Sequence, residues 1–362
     1  MNRTETAVHD PASARAQRKR ESLRENELTL SLAMGAQVFA YGALYVLPAA
    51  STAAWAAVLL LLIPLALMRL LAAWVGRAAL PGAENTLPFR LAAGGMAALF
   101  LTNMAVCLLT LTELAQAFFF PGGSRLWLAL AAALALGLGM PASFSAAPNL
   151  SRFLTGFLVL ALGFCALTVL PEGESGYLYP LAGYGAGHTL HVALRASGSV
   201  WMAGALAVLS PGDSAKGGLR AALPGARAVA LVALLLLCCA YVLPGTQLSF
   251  RRGYALRLQL LMEMSPNTLS WSLALMAEML MFLAGFALCS DLMRKCLKSA
   301  LHIKRLPLLP FSLACMPLAV QGMGVWEQRL IRLLPWRYPL AAVLLLMCLL
   351  GSHAAKKKGK SP

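Results

Sequence analysis

Apolar residues run along this chain in long blocks, separated by short stretches rich in Gly, Pro, Arg and Lys. A helix needs about 20 apolar residues to cross a hydrocarbon core of roughly 30 Å. Blocks of that kind fall at 28–47, 53–75, 94–118, 126–143, 151–170, 188–210, 226–244, 268–290, 306–324 and 336–351. They predict ten spans, the fourth and tenth being the shortest, with nine or eleven left open. An even number puts both termini on one side. The fold class expected is an all-α integral membrane protein.

Composition agrees. Hydrophobic residues make up 59% and charged residues 12% of the 362, against about 25% charged in an ordinary soluble domain. That excludes a soluble enzyme, a disordered regulator and a repeat scaffold. The net charge is +16, which in a soluble protein would suggest nucleic acid. Here 22 of the 30 Lys and Arg fall on the side of the N-terminus, densest at Arg294, Lys295, Lys298, Lys304 and Arg305. The positive-inside rule then makes both termini cytoplasmic. Residues 1–27 read as a cytoplasmic tail, 28–351 as the membrane domain, and 352–362 as a basic cytoplasmic tail facing an anionic leaflet. No nucleic-acid partner is implied. The run 28–47 is too long for the core of a signal peptide. Residues 247–264 carry apolar and charged positions at helical spacing, as an interfacial helix would.

The eight cysteines form no CxxC pair and no metal-spaced cluster. Seven lie in apolar runs and read as small packing residues, while Cys296 is expected in a polar loop. His188 and His191 read as interfacial hydrogen-bonding groups, and no metal site is expected. No nucleotide-binding loop or nucleophile–base motif is present, so neither an enzyme nor a cofactor is expected.

Ten spans invite division into two five-span halves, 28–170 and 188–351, the second inverted. Gly35 and Pro48 of the first span match Gly198 and Pro211 of the sixth at one offset of 163 residues. Helices one and six are therefore expected to be broken. Irregular backbone at membrane depth is tolerated where it lines a cavity or is buried in protein, and its free polar groups can hold a small ligand. The residues around the two glycines are Gln37, Tyr41 and Gly42, then Arg195, Ser197, Ser199 and Trp201. The competing reading is that the glycines only let helices pack closely.

Three charges read as truly intramembrane: Glu113, Arg195 and Glu278. Intramembrane charges are costly and mark functional sites by default. Glu113 and Arg195 should lie at similar depth and are expected to pair, either to fix helix register or to handle a zwitterionic solute. Asn103 and Thr110 share the Glu113 face of the third span. Glu278 reads either as a protonated structural acid or as a proton carrier.

The stretch from Leu28 through Gly35, Gln37 and Gly42 to Pro48 and Trp55 resembles the first two spans of spore germination receptor B-subunits. These are permease-like relatives of the amino acid–polyamine–organocation transporters. Leu178-Tyr179-Pro180, Gly183, Gly187 and the sixth span ending at Pro211 resemble that family's middle section. The family usually carries an arginine and an acid near the start of its eighth span, whereas this chain reads Asn267-Thr268-Leu269-Ser270-Trp271, a divergent feature. The resemblance implies a nutrient receptor subunit in a cell or spore inner membrane, binding a small amino acid and working with A- and C-type subunits. A proton-coupled amino acid or amine transporter, or a structural subunit with a vestigial site, are the alternatives.

Overall fold

The computed structural model describes residues 11–78, 83–139, 170–181, 183–209, 222–242, 268–303 and 306–358, with isolated positions between 153 and 168. Among these there is no strand. An apolar sequence in lipid must satisfy its backbone polar groups within each segment, and the helix does so.

Among the described residues the α-helices of five residues or more are α1 Pro11–Tyr41, α2 Ala54–Leu59, α3 Leu62–Ala78, α4 Leu87–Phe118 and α5 Arg125–Gly139. They continue with α6 Ala186–Ala196, α7 Leu223–Val242, α8 Thr268–Leu301, α9 Leu309–Gln321 and α10 Met323–Lys358. Nine of the ten predicted spans have a helical counterpart, with α2 and α3 together making the second. Most of the fifth, 151–170, and the predicted interfacial helix at 247–264 lie outside the described residues. α1, α4, α8 and α10 overrun their apolar blocks, whereas α5 and α9, of 15 and 13 residues, fall short of theirs. α1 starts within the predicted tail, and α10 has 36 residues, about 54 Å at 1.5 Å per residue.

α4 and α8 pack along each other at the centre, with α10, α9 and α1 around them. Phe100, Met104 and Leu108 of α4 are fully buried, as are Phe282, Phe286 and Leu288 of α8. Cys296 is fully buried too. The sequence placed it in a loop, but α8 runs on to Leu301 and turns this cysteine inward.

Asn26 of α1, the start of α4, the end of α8 and Gly351 of α10 gather at one end of the bundle. Asn26 accepts a hydrogen bond from Lys295 at 2.9 Å, Arg90 meets His302, and Gly351 lies against Thr86 and Phe89. The opposite end is closed over α1 by the 175–188 segment. Thr52 Oγ1 donates to the Pro180 carbonyl at 2.6 Å, and the His188 ring meets the Ala49 carbonyl at 3.0 Å.

Of the two helices expected to be broken, the sixth is, whereas the first stays helical and is only loosened by a π-helical turn. The first span leaves α1 through a π-helical turn at Gly42–Val46 and ends in a short turn, Leu47–Ala50. The interruption thus falls at Gly42, while Gly35 remains in regular helix. The sixth span breaks outright. α6 tightens into 3-10 turns at Ser197–Ser199 and Trp201–Gly204 before a last turn at Leu206–Leu209, with a bend of 51° between its halves. The local sequence explains this. Ser197 and Ser199 give their hydroxyls to the Leu194 and Ala196 carbonyls at 2.7 and 2.8 Å, and such back-bonding competes with the helical ladder.

Candidate functional site

A polar cluster lies buried where α1, α4 and α10 meet. α1 contributes Gln37 and Tyr41, one helical turn apart and 0% and 1% exposed. α4 contributes Asn103 and Cys107, again one turn apart and both fully buried. α10 contributes Arg337. Its Nη1 donates to Asn103 Oδ1 at 2.9 Å, and its guanidinium carbon lies 5.3 Å from the centre of the Tyr41 ring. Gln37 Nε2 donates to the Asn103 carbonyl at 3.4 Å and faces Cys107 Sγ at 3.5 Å.

This geometry uses each group incompletely. Asn103 turns its oxygen to Arg337, which leaves Nδ2 without a partner. Gln37 turns its nitrogen toward α4, which leaves Oε1 without one. Buried polar atoms in native proteins are nearly always hydrogen-bonded. With the Tyr41 hydroxyl, which also lacks a hydrogen-bond partner, the cluster has three unfilled polar atoms beside a buried cation, which is capacity to take a ligand.

Three predicted ligand residues, Gln37, Tyr41 and Asn103, come together here. Arg337 was missed. The three Arg and two Pro between 329 and 339 read as the outer flank of the last apolar block, although that block begins at 336. The usable signal was periodicity: Leu330, Leu334, Arg337, Ala341, Leu345 and Cys348 are all buried, and their spacing of three and four is one helix face.

The remaining predicted residues lie elsewhere. Trp201 sits in the break of the sixth span, fully buried, with its ring 4.9 Å from that of Phe100, one turn before Asn103. The Ser197 and Ser199 hydroxyls are spent on their own backbone. Gly198 is a packing glycine: a Cβ there would come within 1.7 Å of the Leu334 carbonyl oxygen of α10. Gly35 and Gly42 face Ala228 and Val232 of α7 at 3.2 and 3.5 Å from such an added carbon.

The expected Glu113–Arg195 pair is not formed. Glu113 pairs with Arg125 at 3.1 Å, and Arg125 also donates through Nε to Gln116, so this carboxylate clamps α4 to α5. Arg195 instead faces the Tyr45 hydroxyl on the first span. A similar expected depth carries no information about which way a helix is rotated. Glu278 is 1% exposed, within electrostatic reach of Cys239 on α7. Sequence reading also missed Arg69 of α3, which is 1% exposed and paired to Glu27 of α1 at 3.2 Å. Among the described residues no three His, Cys, Asp or Glu side chains stand close enough to hold a metal ion.

No family model and no curated protein matches the sequence. Solved structures do. The crystal structure of the Eremococcus coleocola manganese transporter, in complex with an aromatic bis-isothiourea substituted compound, is 12% identical with a TM-score of 0.53. The match covers 92% of this chain and 76% of that one. The chain therefore has an all-α membrane transporter-like fold. At that identity the likeness carries the fold alone.

Proposed function

We propose that this chain is a permease-like nutrient receptor subunit that binds a small amino acid at the Gln37–Tyr41–Asn103 cluster. The observation that carries the reading is the cluster itself, with unfilled hydrogen-bonding capacity at the meeting of the first, third and last spans. The sequence resemblance supplies the finer form: a germinant receptor B-type subunit of a spore inner membrane, signalling with A- and C-type partners. Its charge distribution favours cytoplasmic termini. Binding shifts an equilibrium between two arrangements of the spans by as much as the ligand prefers one of them.

A second reading is a proton-coupled amino acid or amine transporter, which buried Glu278 favours as a proton carrier. Labelled amino acids presented to the purified protein in proteoliposomes, with and without an imposed proton gradient, separate the readings. Saturable binding without accumulation is the receptor result. Accumulation driven by the gradient is the transporter result. Neither would leave a structural subunit. Co-purification with larger membrane and lipoprotein subunits tests the germination role.

A further inference from the structure

Arg337 is 5% exposed, in the middle of a helix whose apolar, membrane-length segment runs from Gly324 to Lys356. Among the described residues no ion pair includes it. Its recorded contacts are to neutral groups, the Asn103 amide oxygen and the Tyr41 ring. Removing a charge from water without a counter-charge is costly, and a guanidinium cannot escape by losing its proton. Arginine kept at such a place has the fork geometry that suits a carboxylate.

We infer that Arg337 is the anion-recognising residue of the site, and that its missing counter-charge is the carboxylate of the bound solute. The inference rests on the proposed binding role of this cluster and adds to it the residue that sets ligand charge. Asn103 Nδ2, the spare donor, stands on the amide that already touches Arg337, so one carboxylate can engage both. Gln37 Oε1, the spare acceptor, lies on the neighbouring helix and suits a cationic or N–H group of the same solute. A resident positive charge opposes an inorganic cation in the same place, so the site needs neither sodium nor a divalent metal to take its ligand.

The closed cluster must open to admit a solute, and α10 is built to bend at the required point. Pro335 and Pro339 flank Arg337 inside the helix. Each lacks the N–H that would bond the carbonyl four residues earlier, so the ladder is thinned on both sides of the arginine.

The test is thermal shift and equilibrium binding on the purified full chain in detergent, in choline buffer free of sodium and divalent ions. The probes are the twenty common amino acids, the carboxamide of any that binds, acetate, chloride and phosphate. The expected result is an amino acid that binds without added cations, at least about tenfold tighter than its amide. Arg337→Met is expected to erase the acid-over-amide preference, and Arg337→Lys to keep part of it. Amide binding as tight as the acid, or a requirement for sodium or manganese, overturns the inference and leaves the binding role standing. Acetate or inorganic anions binding through Arg337 with no amino acid doing so would sustain the inference and remove the amino acid reading. No stabilisation by any probe overturns both. Should Arg337→Met fail to fold, the acid-to-amide ratio of the unmodified chain still decides.

Discussion

Arg337 of α10 and Asn103 of α4 share one hydrogen bond of 2.9 Å, and both side chains are buried. Asn103 is thus the neutral support of a buried cation, and its replacement has two separable effects. Asn103→Leu removes the acceptor and is expected to cost about 1.5–3 kcal/mol of stability, the range for hydrogen bonds to charged groups. Asn103→Asp supplies a counter-charge, so melting in detergent should occur at or above the wild-type temperature. The same carboxylate occupies the position assigned to the ligand's acid, and amino acid binding should fall at least about tenfold. A stable Asp variant that binds normally would contradict the assignment.

Gly198 and Gly187 are two glycines of the sixth span with opposite surroundings. An added Cβ at 198 meets the Leu334 backbone at 1.7 Å, whereas at 187 nothing lies within 4 Å. Gly198→Ala should cost roughly 3 kcal/mol or prevent assembly, at the upper end of overpacking penalties. Gly187→Ala should be neutral or gain up to about 1 kcal/mol from helix propensity. Fluorescence-detected size exclusion after graded heating distinguishes them.

Glu27 and Arg69 form the buried ion pair between α1 and α3. Glu27→Gln strands a guanidinium that is 1% exposed and is expected to destabilise by about 3 kcal/mol. Glu27→Leu combined with Arg69→Met removes both charges and should recover most of that loss. A double-mutant cycle on thermal unfolding reads the coupling, and strict additivity would show that the pair is not the unit described.

The Glu113–Arg125 pair is more open, with side chains 18% and 37% exposed. Screening limits such a pair to about 1 kcal/mol or less. Glu113→Gln is therefore expected to change melting slightly and to leave ligand affinity within twofold. A tenfold loss of affinity would return Glu113 to the binding site.

Much of the architecture was legible because lipid enforces it. Apolar block length marks spans, and the match of Gly198 and Pro211 to Gly35 and Pro48 pointed to the break of the sixth. Gln37, Tyr41 and Asn103 stood out as polar residues in otherwise apolar helices. What stayed hidden was rotation about helix axes. Glu113 and Arg195 were matched by their positions along their spans, yet their helices turn them toward Arg125 and Tyr45 respectively. Hydropathy also misjudged α10, because arginine and proline near a span boundary look like its end. There Pro335 and Pro339 sit within the helix, and Arg337 belongs to its buried stripe.

At Gly198 the broken sixth span and α10 touch backbone to backbone, with no side chain between them to deform. Leu334, the residue touched, precedes Arg337 by less than one helical turn. The close approach at Gly198 is therefore the contact through which a shift of α10 near Arg337 would reach the break of the sixth span, and a shift of the break would reach α10.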